Sequence, residues 1–571
     1  MTDSRHKTEK PQPPFPAELK ALGSQILGSE KTGDGHHEML VDRSRILEVL
    51  RTVKEDPAIH CDLLVDICGV DWPDRDDRFE VVYHLAALET GLRLRIRVPL
   101  KEEDPTMPSA FGLWKGANWF EREAWDLFGI HFEGHPNLKR LLTHEAFDGH
   151  PLRKDYEPGR RCLLTEDEIM TPEWARENPT DNDQFETHIL NLGPSHPATH
   201  GVLRTVVQLE GEVIRRAECE IGYLHRCFEK MVESQGWNQV IPYTDRLNYC
   251  SSMINSVGYA LAVEKLLDVE APPRAQILRL ILSEFSRIMD HAVCLGANLV
   301  DLGAVTGSRY FFQVREEIYG LLESCSGARL TVSYARIGGL SHDVPENFSS
   351  QVRVLLDTIP GFIDDVEKLV TRNTIFRDRT EGVGVISGAE ALAWGWTGPC
   401  LRASGIPYDV RKASPYLGYE NIEFDVPVAT TGDCYARYLV RMEEMRQSLH
   451  IIRQAIDSIP GGPVMIDDPH IAPPEKSKAY NEMESMIRHF KLLNDGIQVP
   501  AGNGYGFTEG ANGELGYYLV SNGGGKPYRI KVRPPCFAIY QAYPHLLEGQ
   551  MVSDAIAILG SLNIIAGELD R

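Results

Sequence analysis

Two histidines that could carry protons lie in the segment NLGPSHPATHGVLR, residues 191–204. His196 and His200 are surrounded there by glycines and prolines, and this density of Gly and Pro predicts a loop. An imidazole held in a cavity can donate a proton near neutral pH. Histidines in such loops are more often exposed and without a catalytic role, so the loop alone leaves both interpretations open.

The spacing of these histidines also raises the possibility of a metal pair. His-x-x-x-His binds zinc when a helix places both rings on one face, and Pro197 and the flanking glycines disfavour that helix. The eleven cysteines are scattered and form no Cys-x-x-Cys pair, the arrangement typical of zinc and iron–sulfur sites. We therefore predict that the chain binds no metal and that its cysteines are small buried residues in a reducing compartment.

The elements around the loop would position it. It leads into VLRTVVQLEGEVIRRAECEIG, where two runs of β-branched residues meet at Gly211, which predicts a β-hairpin. Further on, RAQILRLILSEFSRIMDHAVCLGANLVDLGAVTG predicts a long helix buried on several sides. Glu284, Arg287 and His291 recur on one stripe of this helix, and Asp301 lies near its end. Charges in so apolar a helix indicate either a structural ion-pair network or a functional site.

The first part of the chain, residues 1–162, predicts a small α+β domain. A polar tail is followed by a short helix, PAELKALGSQIL. Three strands are then predicted, CDLLVDICGVDW, RFEVVYHLAAL and LRLRIRVPL. In the third, apolar residues alternate with Arg93, Arg95 and Arg97, which is typical of an antiparallel strand with one exposed face.

The segments after these strands lead to the second module. The helix ANWFEREAWDLFGI carries Glu121, Glu123 and Asp126, which we interpret as a solvated or partner-facing side. The segment HFEGHPNLKRLLTHEAFDGHPLRKDYEP lacks periodicity and predicts an extended arm lying on another protein. Residues 163–185 are acidic and carry prolines, so they predict a linker. Residues 186–571 predict mostly helices with flanking β-hairpins, a late helix at VSDAIAILGSL and a final strand-like stretch.

Composition and charge narrow the class of protein. Of 571 residues, 25% are charged and 42% hydrophobic, as in a soluble globular chain of several domains. The net charge of −23 disfavours nucleic acid and anionic membrane surfaces as partners. No segment approaches the ~20 apolar residues of a membrane span, and the N-terminus has no apolar signal region. We therefore expect a cytoplasmic chain that reaches a membrane only through a partner.

Several motifs together resemble a known family. WFEREAWDLFGIHFEGHPNLKRLL and GHPLRKDYEP resemble the C subunit of respiratory complex I, the proton-translocating NADH:quinone oxidoreductase. The motifs that resemble its D subunit are GPSHPATHGVLR, YLHRCFEK, YTDRLNY, VDLGAVT, SGARL, ARIGG, TGPCLRASG, SPYLGYEN, RMEEMRQS and GELDR. Together they cover nearly all of residues 30–571, and the chain is similar to the fused C/D subunit of a bacterial enzyme.

The resemblance implies roles for residues that match the D-subunit motifs. His200 matches the histidine at the head of the quinone cavity, Tyr249 the tyrosine that faces it, and Asp301 the acid that pairs with the histidine. His196 and Gly201 would shape the loop. A quinone takes up two electrons and two protons, so the phenol and the imidazole are suitable donors, and Asp301 would keep the imidazole protonated.

The resemblance also implies partners. Arg226 and Arg246 match arginines at the approach to the terminal iron–sulfur cluster, which the neighbouring B subunit holds. Quinone is then the substrate, and no cofactor is expected on this chain itself. The implied partners are peripheral-arm subunits of the B, I and G types and a membrane-arm subunit of the H type, on the cytoplasmic side of the bacterial inner membrane. Thr331 stands where many members have a histidine near the cluster, so we expect a weaker pH dependence of the cluster's potential.

The D-subunit family is also similar to the large subunits of nickel-iron hydrogenases, which hold metals with paired cysteines. Here Asn248 and Ser251 stand at the ligand positions and the C-terminal cysteine pair is missing, which disfavours a hydrogenase as the alternative function. A scaffold without a site fits the N-terminal domain but not the loop, Tyr249 and Asp301. We therefore expect an α+β domain, a linker and a large, mostly helical, hydrogenase-like domain whose metal-free cavity holds the quinone head.

Overall fold

The computed structural model describes residues 26–31, 34–157, 159 and 187–571. The predicted tail, nearly all of the first predicted helix and the predicted linker, residues 163–185, lie outside the described residues. At Ile26, the next-to-last position of that predicted helix, the chain forms a strand.

In the described part of the chain the strands are β1 Ile26–Lys31, β2 His37–Val41, β3 Leu63–Asp71, β4 Phe79–Ala86, β5 Arg93–Leu100, β6 Thr106–Pro108, β7 His131–Glu133, β8 Thr187–Leu192, β9 Arg204–Glu210, β10 Val213–Glu220, β11 Ala335–Arg336, β12 Gly339–Leu340, β13 Gly502–Gly510, β14 Gly513–Ser521 and β15 Arg529–Arg533. The α-helices are α1 Ile46–Glu55, α2 Ala117–Phe128, α3 Phe228–Val232, α4 Ile241–Thr244, α5 Ser252–Leu267, α6 Pro273–Asp301, α7 Val305–Ser326, α8 Phe348–Val366, α9 Thr374–Thr380, α10 Gly388–Ala393, α11 Gly398–Arg402, α12 Val410–Ala413, α13 Cys434–Asp457, α14 Lys476–Asn481, α15 Met483–Asn494, α16 Pro535–Tyr540, α17 Tyr543–Leu547, α18 Val552–Leu562 and α19 Ala566–Asp570.

The N-terminal module is built on a five-stranded sheet in the order β1-β2-β5-β4-β3. Strands β2 and β5 pair in parallel and the other neighbours are antiparallel. Helix α1 buries Ile46, Val49, Leu50 and Val53, which recur at helical spacing, in the core that this sheet shares. Other residues of β3 and β4 pack with Tyr505, Tyr518 and Val520 of β13 and β14, so the second module covers part of the sheet.

Strand β5 is not exposed on one face as predicted. Arg95 is fully buried and donates to Glu38 at 3.1 Å. Arg93 is buried as well and donates to Glu514 of β14 at 2.7 Å. The alternation identified two faces of the strand correctly, but it carries no information about which later segment covers the arginine face.

The acidic residues of α2 are also buried, so their prediction as a solvated or partner-facing side is wrong. Asp126 accepts hydrogen bonds from three successive backbone N–H groups of the following arm, at 2.9–3.0 Å. Glu123 accepts from Lys531 of β15 at 2.6 Å. Glu121 accepts from Ser109 Oγ, also at 2.6 Å. Each carboxyl binds within this chain, where the sequence pattern could not identify the donor.

The arm after α2 lies on this chain's own second module, and not on another protein as predicted. Lys154 of the arm donates to the Tyr528 carbonyl at 2.6 Å and pairs with Glu233 at 2.9 Å. A Cβ placed on Gly222 would lie 2.5 Å from the carbonyl oxygen of Leu142, so the two backbones touch. An extended segment without its own core needs a surface to cover it, and the second module supplies that surface.

Helix α6 is the centre of the second module and packs against α5, α7, α13 and α18. The predicted long helix is confirmed as α6, which ends at Asp301, and Gly303, with φ of 82°, turns the chain into α7. The charged stripe on α6 forms ion pairs inside the core. Glu284 binds Arg287 and Arg411, and His291 lies 2.8 Å from Glu444.

The predicted β-hairpins are confirmed, and each gains a strand that the sequence did not predict. Strand β8 joins the β9–β10 hairpin, and β13 joins β14 and β15. Strand β13 is rich in glycine because it lies close to α5: a Cβ on Gly506 would lie 2.4 Å from Ala262 Cβ.

The final stretch of the chain is a short helix, α19, and not the strand that the sequence predicted. In the described part of the chain, no helix combines the length and apolar character needed to cross a membrane.

Candidate functional site

The predicted histidine loop connects β8 to β9. A Cβ on Gly193 would lie 1.9 Å from the carbonyl oxygen of Leu203, so only glycine fits where the loop begins. His196 is exposed, and its ring Nδ1 accepts a hydrogen bond from the Ala198 N–H at 3.2 Å. His196 therefore caps the 3₁₀ turn Pro197–Thr199 that follows it, which fits a role in shaping the loop.

His200 ends this turn with a left-handed backbone, φ of 55°, and its ring leaves the loop to contact α6. Its Nε2 forms a hydrogen bond with Oδ2 of Asp301, the last residue of α6. The two side chains are 20% and 19% exposed, so the pair is partly desolvated but reachable from outside. Behind it, a Cβ on Gly201 would lie 3.0 Å from Ala566 Cβ, and the loop therefore rests on the start of α19.

Tyr249 begins a 3₁₀ turn, Tyr249–Ser251, and helix α5 follows it from Ser252. Asn248 caps this turn, because its Oδ1 accepts from the Cys250 N–H at 3.2 Å. Burial, with smaller contributions from the neighbouring Cys250 and Asp290 and against the opposing charge of Arg226, raises the pKa of Tyr249 to about 12. The phenol therefore keeps its proton throughout the physiological range.

The two predicted cluster-approach arginines are brought together. Arg226 and Arg246 are both exposed, and the Arg226 guanidinium donates to the Arg246 carbonyl at 2.9 Å. Gly567 of α19 fits closely behind them. A Cβ there would lie 2.8 Å from the Arg246 carbonyl oxygen and 3.4 Å from Tyr249 Cδ1.

Helix α19 thus joins the predicted site residues. Its adjacent residues Ala566 and Gly567 contact Gly201 on one side and the turn of Tyr249 on the other. The His200 loop and the Tyr249 turn therefore rest on neighbouring positions of one short helix. In the strand predicted for this stretch, successive side chains would instead have pointed to opposite faces of a sheet.

The sequence did not identify Asp290, although it lies beside the turn of Tyr249. Its Oδ2 accepts a hydrogen bond from Asn248 Nδ2 at 2.6 Å, and its Oδ1 accepts from Asn563 Nδ2 at 2.7 Å. The available signal was a charged residue in an apolar helix, between Arg287 and His291. Its partners lie far away in the chain, so the spacing of residues could not reveal them.

Comparisons with known proteins place the whole chain in one family. The family described as "Respiratory-chain NADH dehydrogenase, 30 Kd subunit" matches residues 39–161, and "Respiratory-chain NADH dehydrogenase, 49 Kd subunit" matches residues 301–571. The C/D subunit of a NADH-quinone oxidoreductase from Bdellovibrio bacteriovorus is 50% identical over 535 residues, covering 92% of this chain and 95% of that protein. The chain belongs to the family of fused C/D subunits of NADH-quinone oxidoreductase.

Other members of this C/D family match almost end to end. The protein from Ectopseudomonas mendocina is 41% identical over 577 residues and the protein from Methylococcus capsulatus 39% over 585 residues. The matches cover 97% of each chain in the first case and 99% in the second. The predicted resemblance to fused C and D subunits of complex I is therefore confirmed, and the hydrogenase alternative gains no support.

Asn248 and Ser251 are the two residues that the expected resemblance to hydrogenases places at metal-ligand positions. Asn248 uses both carboxamide atoms, with Cys250 and Asp290 as partners, and Ser251 is buried. Within the described ranges, no three or more His, Cys, Asp and Glu side chains cluster as a metal site would require.

Proposed function

We propose that this chain is a peripheral-arm subunit of a proton-translocating NADH:quinone oxidoreductase and forms the quinone-reduction site together with a B-type subunit. The observation that carries the proposal is the contact of His200 with Asp301. The loop that carries His200 and the turn that carries Tyr249 both rest on α19. A quinone takes up one proton at each of its two carbonyl oxygens on reduction. The site offers two proton donors for this purpose: an imidazole that is paired with a carboxylate, and a half-buried phenol.

The two donors would act differently. Tyr249, with its pKa raised to about 12 by burial, stays protonated and donates a hydrogen bond to one carbonyl oxygen. It releases its proton only when reduction has made that oxygen a strong base. His200 would protonate the other oxygen, and Asp301 would orient the ring.

Electrons would reach the quinone from an iron–sulfur cluster held by the B-type subunit, and this chain would contribute Arg226 and Arg246 to the approach. The exposure of both arginines supports this role, because they are free to face a neighbouring subunit. Two guanidinium groups would favour the added negative charge on that side of the site.

We propose further partners of the I and G types in the peripheral arm and of the H type in the membrane arm, with the enzyme on the cytoplasmic side of the bacterial inner membrane. Helix α15 supports contacts with other subunits, since one side of it exposes Met483, Met486, Ile487, Phe490 and Leu493. Apolar patches of this kind mark interaction surfaces.

The division of the chain into residues 1–162, a linker at 163–185 and residues 186–571, and the hydrogenase-like fold of the last part, are also proposals. A sheet-based first module and a mostly helical second module support the division.

The test is substitution of the two donors in the assembled, membrane-bound enzyme. His200→Ala and Tyr249→Phe should each lower NADH:quinone reductase activity by roughly 10²–10⁴-fold if proton transfer limits the rate. Electron transfer from NADH to an artificial acceptor upstream should survive. His450→Ala and Tyr480→Phe, on exposed helix surfaces, serve as controls. If both activities fall together, the two residues are structural and the proposal is wrong.

A further inference from the structure

The turn that carries Tyr249 is held by its preceding residue. Besides capping the turn through Oδ1, Asn248 accepts from Asn255 Nδ2 at its backbone carbonyl, at 2.9 Å. Its remaining polar group, Nδ2, donates to Asp290 Oδ2 at 2.6 Å. The Asp290 bond fixes which way the carboxamide faces, because the reverse orientation would set two oxygens against each other and leave the Cys250 N–H without its acceptor.

Asp290 is itself held from a second direction. It is fully buried in the middle of α6, and its other oxygen accepts from Asn563 Nδ2 at 2.7 Å. Asn563 ends α18 with φ of 58°, a left-handed conformation that asparagine tolerates. Its Nδ2 also lies 2.6 Å from Asn512 Oδ1, in the turn between β13 and β14.

The network therefore ties the turn of Tyr249 to α6, α18 and the β13–β14 hairpin. A buried carboxylate is costly unless donors compensate for the water it has lost, and here two carboxamide N–H groups do so. A fully satisfied buried polar network has one favourable arrangement, which makes it a rigid support for a reacting group.

We propose that Asp290 is a positioning residue of the quinone site, which holds Asn248 and thereby fixes the turn that carries the Tyr249 phenol. This inference rests on the proposed role of Tyr249 as a proton donor. Proton transfer requires donor and acceptor within hydrogen-bond reach, so a small displacement of the turn should lower the rate although Asp290 itself does not contact the substrate.

A reciprocal exchange tests the inference in the assembled enzyme. Asp290→Asn leaves one oxygen for two N–H donors, so the bond to Asn248 or the bond to Asn563 is lost. We expect quinone reductase kcat to fall by about 10–100-fold, with the rate to the upstream artificial acceptor unchanged. The double variant Asn248→Asp/Asp290→Asn reverses the donor and the acceptor, and every bond of the network can form again. It should recover to within about threefold of the unmodified enzyme.

A pH profile gives a readout that a merely structural role would not move. The groups that act on the Tyr249 phenol are Cys250, Asp290, Cys536 and Arg226. Removal of the Asp290 charge should lower the pKa of Tyr249 from about 12, so that activity declines at a lower alkaline pH in Asp290→Asn. An unchanged alkaline limb would contradict the proposed coupling.

The Tyr249→Phe background separates this inference from the proposed function. If Asp290 acts through the phenol, Asp290→Asn should add no further loss to Tyr249→Phe. Full activity of Tyr249→Phe alone would overturn the proposed function. If Tyr249→Phe has a large effect, two results would overturn only the positioning role. One is an independent, multiplicative loss from Asp290→Asn in the Tyr249→Phe background, and the other is no rescue by the exchange.

If Asp290→Asn does not assemble, Asn563→Gly keeps the left-handed backbone and removes the second bond. It should then give a smaller loss that is absent in the Tyr249→Phe background.

Discussion

Helix α6 supplies two carboxylates to the site, and they are held in opposite ways. Asp301 ends the helix, is partly exposed and binds an imidazole on a loop. Asp290, eleven residues earlier, is fully buried and binds two carboxamides. One carboxylate pairs with a group that can gain and lose a proton near neutral pH, and the other pairs only with groups that cannot.

The difference separates chemistry from support within one helix. A partly exposed pair can exchange protons with a substrate or with water, and its geometry can adjust when a ligand enters. A buried carboxylate with two amide donors is held in place, because its displacement would leave buried N–H groups without acceptors. We therefore expect Asp301 to act directly on His200, and Asp290 to act only through the turn that carries Tyr249.

Among the changes that test this comparison, replacement of Asp301 should give the largest effect. Asp301→Asn keeps an oxygen that can accept from the His200 ring but removes the negative charge beside the ring. We expect quinone reductase activity to fall by about 10–100-fold, with electron transfer to an upstream artificial acceptor retained. The measurement is the ratio of the two rates in membranes that contain equal amounts of the enzyme.

Asp457→Asn is the matched control for this change. Asp457 also ends a long helix and pairs with a side chain from elsewhere, Arg353, but both partners are exposed. Its replacement should leave both rates unchanged, since exposed ion pairs contribute little. Equal losses from Asp301→Asn and Asp457→Asn would show that the loss reflects damage to a helix end, without a role for Asp301 in the reaction.

Glu121 sharpens the comparison by showing what burial does to a carboxyl held by uncharged donors. It accepts from Ser109 Oγ and from the Ala110 N–H, and burial raises its pKa from 4.5 to about 8. Because the pKa is higher in the folded state, its contribution to stability is fully present below about pH 4.5 and is lost as the pH rises towards 8. Glu121→Gln should remove this dependence.

The expected difference is measurable as a slope. Between pH 5 and 8 the free energy of unfolding of the original chain should fall more steeply than that of Glu121→Gln, by up to ~1.4 kcal/mol per pH unit. Denaturant unfolding of the full-length chain at several pH values measures it. Glu89→Gln, at an exposed turn, should leave the slope unchanged. Parallel curves for the chain and Glu121→Gln would mean that this carboxyl stays charged when buried.

The sequence predicted the local elements of the site better than their supports. The histidine loop, the hairpin behind it and the pair of His200 with Asp301 needed only turn chemistry and a resemblance to a family. The burial of Arg93 and Glu123 was missed, because their partners Glu514 and Lys531 lie about 400 residues away. Asp290 was missed for the same reason, since spacing along one helix cannot reveal donors on two other elements.

A smaller effect is expected at Thr331, a half-buried residue after α7 that has no proton to exchange near neutral pH. A histidine near a redox centre binds its proton more tightly when the centre is reduced, which makes the potential fall as the pH rises. Thr331→His should therefore steepen the pH dependence of the terminal cluster's potential, by at most ~59 mV per pH unit for one electron and one proton. Redox titration of both enzymes at several pH values measures it. Equal slopes would show that position 331 is not coupled to the cluster.

The smallest effect is expected from cutting the chain between its two modules. Buried contacts already join them: Glu514 binds Arg93, Glu123 binds Lys531, and the Tyr528 hydroxyl donates to the Asp71 carbonyl at 2.6 Å. These contacts are buried, like the hydrogen bonds of Asp290 and unlike the partly exposed pair of Asp301 with His200. Separation of the two modules would therefore leave buried charges without partners. Halves cut near Asp181 and co-expressed should therefore copurify through a tag on either half. Their quinone reductase activity should stay within about twofold of the intact chain, because a linker acts mainly by raising the local concentration of one half near the other. Two folded halves that fail to associate would show that the buried contacts are too weak to hold the modules together without the covalent link.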